Sequence, residues 1–359
     1  MGARHRPDRR RLPHLWPKEL GLTTPRVTPR PPPRSSQGIS VGVVGAGAMA
    51  RTHLAVWQRL GVPARVFSPS GRASAFAGTY AATTSRTLDA LIDSCTVVDI
   101  CSPTGTHLGV TEQASAAGRH VICEKPLALT HADAAAIIAV TAAAGVQLHV
   151  AHVVRYFAGY AQIRDMVLAG DIGVATIMQL RRTGAAPDAD WFHDDERSGG
   201  VLMDQMIHDF DYARWVFGEV TVVSAHTEKA ATGGDPRVVR ATASLTHVSG
   251  ATSHLTGGWL EPDAAFTTSV SVQGSAGELR HTNSYNAIVV TGTGATGAAG
   301  TRRVEFGEDC PYDTQLADFA AAINGGPAPR INPADALAAV DLTLAARKSV
   351  ATGKPISVA

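Results

Sequence analysis

Lys125 follows an apolar run, His120-Val-Ile-Cys-Glu124, and precedes Pro126. A lysine just past the end of a parallel strand stands where open α/β sheets bind their ligands. Its ammonium can donate to a substrate oxygen and stabilise alkoxide character there, and the proline stiffens the turn. Asp204 and His208 stand four apart in a helix-patterned segment, Leu202–Phe217, with Asp211 three further on. That spacing predicts one shared helix face. Histidine titrates near neutral pH and suits proton exchange with a carbinol. A carboxylate one turn away would orient the ring and stabilise its cation. His208 is therefore read as the general acid/base, with Asp204 tuning it or binding substrate. The plainer alternative is a carboxylate meeting a helix dipole beside a core histidine. His208, Asp209 and Asp211 lack a further ligand at recognisable metal spacing, so no metal is assigned.

A second constellation is Val41-Gly-Val-Val-Gly45-Ala-Gly47-Ala48-Met49-Ala50, which fits Gly-x-Gly-x-x-Gly/Ala at the end of a strand and the start of a helix. The first glycine allows the tight turn, the second lets the backbone approach a pyrophosphate, and Ala50 lets helix and strand pack closely. The helix N-terminus offers free N–H groups to phosphates. An acid ending the second strand would bind the ribose hydroxyls of NAD. Here that strand runs out as Val66-Phe67-Ser68-Pro69-Ser70-Gly71-Arg72. Two hydroxyls and an arginine suit a 2′-phosphate, so NADP is favoured over NAD. Beside a nicotinamide, Lys125 and His208 would serve hydride transfer, which requires no metal.

These residues need a scaffold. From Ile39 to Val150, apolar strand-like runs (Ile39–Gly45, Ala64–Ser68, Thr96–Cys101, His120–Glu124, Gln147–Val150) alternate with helical patterns (Ala50–Leu60, Leu88–Ser94, His107–Ala117, Ala132–Ala144). That alternation predicts an α/β Rossmann domain over 38–153, a doubly wound parallel sheet covered on both faces. Strands then succeed one another at Val174–Thr183, Val220–Lys229, Val238–His247, Ala251–Trp259 and Thr267–Gln273, with the Leu202–Phe217 helix between them. This predicts an α+β domain over 154–359, built on a large and mostly antiparallel sheet for substrate binding and self-association. Helices over Asp313–Asn324 and Pro333–Thr352 close the chain, placed to pack back on the first domain.

Composition fits a globular chain: 45% apolar and 18% charged residues, with a formal net charge of +1. The balance gives no electrostatic case for nucleic acid. Residues 1–37 carry nine Lys or Arg against two acids, with many prolines and no apolar period. They are read as a disordered, dispensable extension rather than a nucleic-acid arm. No apolar h-region follows Arg9-Arg10-Arg11, which argues against twin-arginine export. No run of 18 apolar residues predicts a membrane span. Cys95, Cys101, Cys123 and Cys310 form no Cys-x-x-Cys pair and read as reduced packing residues, hence a cytoplasmic protein.

Three segments complete a pattern: Cys101-Ser102-Pro103-Thr104-Gly-Thr-His107, Gly118-Arg-His-Val-Ile-Cys-Glu124-Lys125-Pro126-Leu127, and Ser198-Gly-Gly-Val-Leu-Met-Asp204-Gln-Met-Ile-His208-Asp-Phe-Asp211. With the glycine loop, the chain from Ile39 onward resembles the Gfo/Idh/MocA oxidoreductases. The Asp204–Asp211 run is most like that of the inositol 2-dehydrogenases. The resemblance implies the same catalytic roles for Lys125, Asp204 and His208. It places Ser102, Pro103, Thr104, His107 and Glu124 beside the cofactor, and Arg155 and Tyr156 near the substrate. Where inositol dehydrogenases carry polar contacts, this chain has Gly184, Ala185 and Phe266, which argues against inositol itself. Arg182, Asp190, Trp191 and Trp259 are candidate pocket residues instead, and Tyr312 is another. The expected activity is NAD(P)-dependent oxidoreduction of a cyclitol, sugar or small polyol. A nicotinamide-requiring glycosidase and a non-catalytic cofactor sensor are the competing classes. Family members are commonly homodimers or homotetramers. An outer sheet face that kept apolar residues would bury them in such an interface.

Overall fold

The computed structural model describes residues 38–229, 234–293, 299–307 and 309–358. The expectations for residues 1–37 lie outside them.

Six strands make a wholly parallel sheet: β1 (Val41–Val44), β2 (Ala64–Phe67), β3 (Thr83–Thr84), β4 (Val97–Ile100), β5 (His120–Glu124) and β6 (Leu148–Ala151). Their order is β3-β2-β1-β4-β5-β6, the doubly wound arrangement. β1, β4 and β6 are buried along their whole length, as strands covered on two faces must be. The covering helices are α1 (Ala48–Arg59), α2 (Leu88–Asp93), α3 (His107–Ala116) and α4 (His131–Ala143). Thr87 and Thr130 start α2 and α4 by accepting hydrogen bonds from the main-chain N–H of Ala90 and Asp133.

α5 (Ala158–Leu168) leads into the second unit. Its long strand β7 (Ala175–Ala185) lies at the centre of a nine-stranded sheet. After β7 come the short helices α6 (Asp195–Ser198) and α7 (Gly200–Asp204), then α8 (Ile207–Phe217). The other strands are β8 (Val220–Lys229), β9 (Val239–His247), β10 (Thr252–Leu260), β11 (Thr267–Gly274), β12 (Gly277–Thr282), β13 (Ala287–Thr293), β14 (Ala299–Glu305) and β15 (Ile356–Ser357). β7 pairs parallel with β10, and the other pairings in this sheet are antiparallel. Met178, Leu180, Leu245, Leu255 and Val270 point to the helices. The opposite face is mainly polar, with Gln179, Arg181, Ser224, His226, Thr242, Ser244 and His254 exposed. Hydroxyl, amide and charged groups thus dominate that face.

α9 (Pro311–Ile323) and α10 (Pro333–Thr352) return to the first sheet. Tyr312, Leu316 and Phe319 join the core beneath α1, while α10 gives Ala339 and Val340 to that core and Leu342 and Ala346 to the other. Asn332 and Asp335 form a capping box at the start of α10, with Pro333 in its first turn.

The single helix expected over Leu202–Phe217 is two, α7 and α8, broken at Gln205 and Met206. The Gln205 side-chain oxygen leaves the helix to accept the Gly258 N–H at 3.1 Å. Met206 fills the space that a side chain on Gly257 would need: a Cβ there would stand 2.3 Å from Met206 Cγ. Two adjacent glycines in β10 therefore admit and fasten the break.

Candidate active site

The loops that follow β1, β2, β4, β5 and β6 open on one edge of the parallel sheet, and the expected cofactor residues lie on them. Gly45 has φ +132°, and a Cβ there would stand 2.4 Å from the Cys101 carbonyl oxygen. The protein itself dictates that glycine. Gly47 differs: its φ is −89° and nothing lies within 4 Å of where its Cβ would be. Bare backbone facing open space at a helix start is what a pyrophosphate needs in order to approach. No side chain caps α1, so the N–H groups beside Ala48 and Met49 are not taken by a capping group. The residues present fit a dinucleotide.

Beyond β2, Ser68 Oγ and Ser70 Oγ lie 2.9 Å apart, and Arg72 Nε donates to Ser70 Oγ at 3.2 Å. The three form one exposed polar cluster and include no carboxylate. Beyond β4, Ser102 Oγ meets Thr106 Oγ1 at 2.7 Å in the loop that carries Pro103 and the buried Thr104. His107 is turned inward. Its Nδ1 and Nε2 lie 3.1 and 3.0 Å from the carbonyls of Leu127 and Ser102, so it ties the β4 loop to the β5 loop. Burial holds its pKa down.

Lys125 and Asp204 meet across the cleft. Lys125 Nζ donates to the Asp204 carbonyl at 2.7 Å and to its Oδ1 at 3.2 Å. Because the helix breaks after Asp204, that carboxylate faces the lysine instead of lying one helical turn below His208. The same break takes Asp204 off the face predicted for the three residues, while His208 and Asp211 still stand three apart on α8. Asp211 is used elsewhere: Arg155 Nε donates to its Oδ2 at 2.9 Å and NH2 to its Oδ1 at 2.6 Å.

His208 is 8% exposed, and its Nδ1 is buried without a hydrogen-bond partner. Burial, then the nearby charges of Lys125 and Arg182 and the ring of His152, hold its pKa well below the ordinary value. The ring is therefore neutral near pH 7 and able to accept a proton. His152 was not foreseen. It is fully buried just past β6, edge-on to His208 at a centroid distance of 6.4 Å. Its Nδ1 lies 3.7 Å from Asp211, and neither ring nitrogen has a hydrogen-bond partner.

The expected substrate residues fall into two groups. Arg155 is 1% exposed, and besides Asp211 its NH1 donates to Asp335 and the Arg330 carbonyl. Tyr156 donates its hydroxyl to Asp318 at 2.7 Å. Arg182 is held by Asp209 through Nε and NH2, both side chains buried. These groups spend their donors on partners in the protein, because a buried guanidinium must be paired. Trp191 is only partly buried and stacks on Phe192 with centroids 3.8 Å apart. Trp259 backs Phe192 and His193. Asp190 is exposed at the start of this turn. Tyr312 is 8% exposed, within electrostatic reach of Glu124 and Arg182. Gly184 packs under Phe266, as a side chain there could not without crowding the ring.

A second unforeseen cluster lies beneath the loops. His53 Nδ1 sits 3.0 Å from both Asp99 carboxylate oxygens, and Trp57 Nε1 donates to Asp99 at 2.8 Å. Cys101 Sγ is 3.4 Å from the same His53 nitrogen. His53, Asp99 and Cys101 are close enough to suggest a metal, but they already serve one another as hydrogen-bond partners. Burial alone would lower the His53 pKa, yet the Asp99 carboxylate outweighs it and holds it well above normal. Burial pushes the Cys101 thiol far up, which leaves it unreactive. Among the described residues all four cysteines are free, and no helix is long and apolar enough to cross a membrane.

Comparison with known proteins agrees with this geometry. Residues 39–152 match the model of an oxidoreductase family with an NAD-binding Rossmann fold, and residues 160–280 match the GFO/IDH/MocA C-terminal domain. The inositol 2-dehydrogenase of Rhizobium meliloti (strain 1021) is 29% identical over 89% of this chain and 99% of its own length. The myo-inositol 2-dehydrogenase of Thermotoga maritima is 30% identical over 70% of this chain and 76% of its own. An oxidoreductase domain protein from Kribbella flavida shares the fold at TM-score 0.78 and 22% identity, over 89% of this chain and 99% of its own. Glycine loop, Glu-Lys-Pro turn, second sheet and matched models together make this chain a member of the Gfo/Idh/MocA family of oxidoreductases.

Proposed function

We propose that the chain is an NAD(P)-dependent dehydrogenase of a cyclitol, sugar or related small polyol. The observation that carries the reading is a lysine ammonium, at the strand ends of the sheet that bears the glycine loop, close enough to the buried His208 for its charge to help lower that ring's pKa. A nicotinamide held by the glycine loop would supply the hydride chemistry at the carbinol carbon. Lys125 donates to the oxygen of that carbon and stabilises its alkoxide character. His208, kept neutral, receives the hydroxyl proton as the alcohol becomes a carbonyl and returns it in the reverse direction. Asp204 holds the ammonium in place from the other side of the cleft. Trp191 offers an apolar ring to one face of a sugar-like ring. The substrate class follows from the inositol dehydrogenases among the relatives. The carboxylate-free cluster of Ser68, Ser70 and Arg72 favours NADP.

The test is direct. Purified protein with NADP⁺ or NAD⁺ and a panel of cyclitols and sugars should generate reduced cofactor, read at 340 nm. Lys125→Ala and His208→Ala should each lose about 10²- to 10⁴-fold in turnover while still binding the cofactor. Normal turnover in either variant would refute the assignment. Substrate cleavage without net reduced cofactor would point instead to the glycosidase class.

A further inference from the structure

The cluster under the cofactor loops has a use that the hydride-transfer chemistry does not exhaust. His53 lies on α1, the helix whose first turn carries the cofactor loop. Its ring is completely buried between two carboxylates. On one side Nδ1 bonds Asp99, which Trp57 holds from the same helix. On the other, Nε2 stands 3.2 Å from Glu124 Oε1, an ion-pair contact rather than an aligned hydrogen bond. The second oxygen of Glu124, Oε2, accepts the main-chain N–H of Lys125 at 3.0 Å. The two oxygens of one carboxylate thus face different elements, one the His53 ring on α1 and one the backbone of the proposed catalytic lysine.

Two buried acids beside one imidazole make a costly arrangement unless the ring carries charge. An apolar residue at position 53 would pack a helix onto β1 as well. The pairing gains something else: it fixes where the chain turns after β5, and so where Lys125 begins. We propose that His53 is a positioning residue, which holds the Glu124 carboxylate and through it the Lys125 main chain at the mouth of the cofactor site. This role rests on the reading of Lys125 as the residue that steadies the substrate oxygen. The groups that face the ring are Asp99, Glu124, Cys101 and, on α9, Tyr312. Its geometric core can be tested without any substrate.

Full-length protein labelled with ¹⁵N-lysine shows only five lysine residues, so the Lys125 amide can be assigned by substitution. In His53→Gln the Lys125 amide should move upfield as its acceptor loosens, while the other lysine amides stay. Glu124→Gln should move the same amide, and the double variant should move it no further than Glu124→Gln alone. If His53→Gln does not fold, Glu124→Gln is read from the other end: the His53 ring signals in ¹⁵N-histidine-labelled protein should shift. With a substrate in hand, His53→Gln should lower kcat about tenfold, the scale expected of a slightly misplaced catalytic group, and leave the cofactor KM unchanged. A folded His53→Gln protein with an unmoved Lys125 amide would overturn the proposal. So would His53 ring signals indifferent to Glu124→Gln. Neither result depends on whether the polyol reading is right.

Discussion

Lys125 Nζ is bonded to both the main-chain oxygen and the carboxylate of Asp204, at 2.7 and 3.2 Å. The lysine comes from the end of β5 in the first sheet and the aspartate from α7 in the second unit, so the bond spans the cleft. Asp204→Asn keeps the main-chain acceptor and removes the charge. It should lower kcat about tenfold through a loosened ammonium without moving the acid limb of the pH–rate profile. A moved limb would show that Asp204 acts on His208 after all.

Gly45 and Gly47 should separate folding from binding. Gly45→Ala puts a Cβ against the Cys101 carbonyl at a positive φ. It should cost about 1–3 kcal/mol of stability or more, measured by urea unfolding. Gly47→Ala meets nothing in the protein and should leave the unfolding midpoint in place. Its cofactor Kd, followed by fluorescence titration, should rise at least tenfold. Equal affinities would remove the pyrophosphate from this loop.

Ser68 occupies the position at the end of β2 where an acid would bind ribose hydroxyls. Ser68→Asp should repel a 2′-phosphate and turn cofactor preference toward NAD⁺, read as the ratio of kcat/KM values. Arg72→Ala should weaken NADP⁺ alone. If the native protein already prefers NAD⁺ and both variants leave the ratio unchanged, this cluster plays no part in the choice.

Several buried histidines make stability depend on acid. His107, His149, His152 and His208 all have pKa values lowered by burial, His149 to about 4. The unfolded chain takes up protons below about pH 6.5, where these folded rings resist them. Their contribution is therefore complete above pH 6.5 and lost as pH falls. For His149 alone the loss between pH 6.5 and 4 is about 3 kcal/mol. His53 runs the other way: its raised pKa gives stability that is full below pH 6.5 and fades as pH rises through the folded value. Urea unfolding across pH 4–7.5 should show the acid loss, and His149→Gln should flatten it.

Much of this was legible in the sequence. The alternation of Val-rich strands with helices defined the first sheet, because full burial on two faces leaves a plain apolar signature. The Glu124–Lys125–Pro126 turn and the glycine loop declared themselves by type and place. The hairpin strands β12 and β13 did not, since their burial rests on few residues, such as Leu279, His281 and Ile288. The break after Asp204 was hidden because its causes, Gly257 and Gly258, lie some 50 residues downstream. The family resemblance placed Arg155 and Tyr156 near the substrate, and Arg182 stood as a candidate pocket residue. Only their partners Asp211, Asp318 and Asp209 show where the donors go. His53 and His152 gave no local sign, since a histidine in an apolar stretch is ordinary until its neighbours are known.

The interruption at Gln205 and Met206 has a consequence for anyone who would transplant this chemistry. An Asp-x-x-x-His pair copied onto a straight designed rod would stack acid above imidazole and leave the ammonium without its clamp. The graft would have to carry the kink, and with it the paired glycines of the neighbouring strand that make room for it.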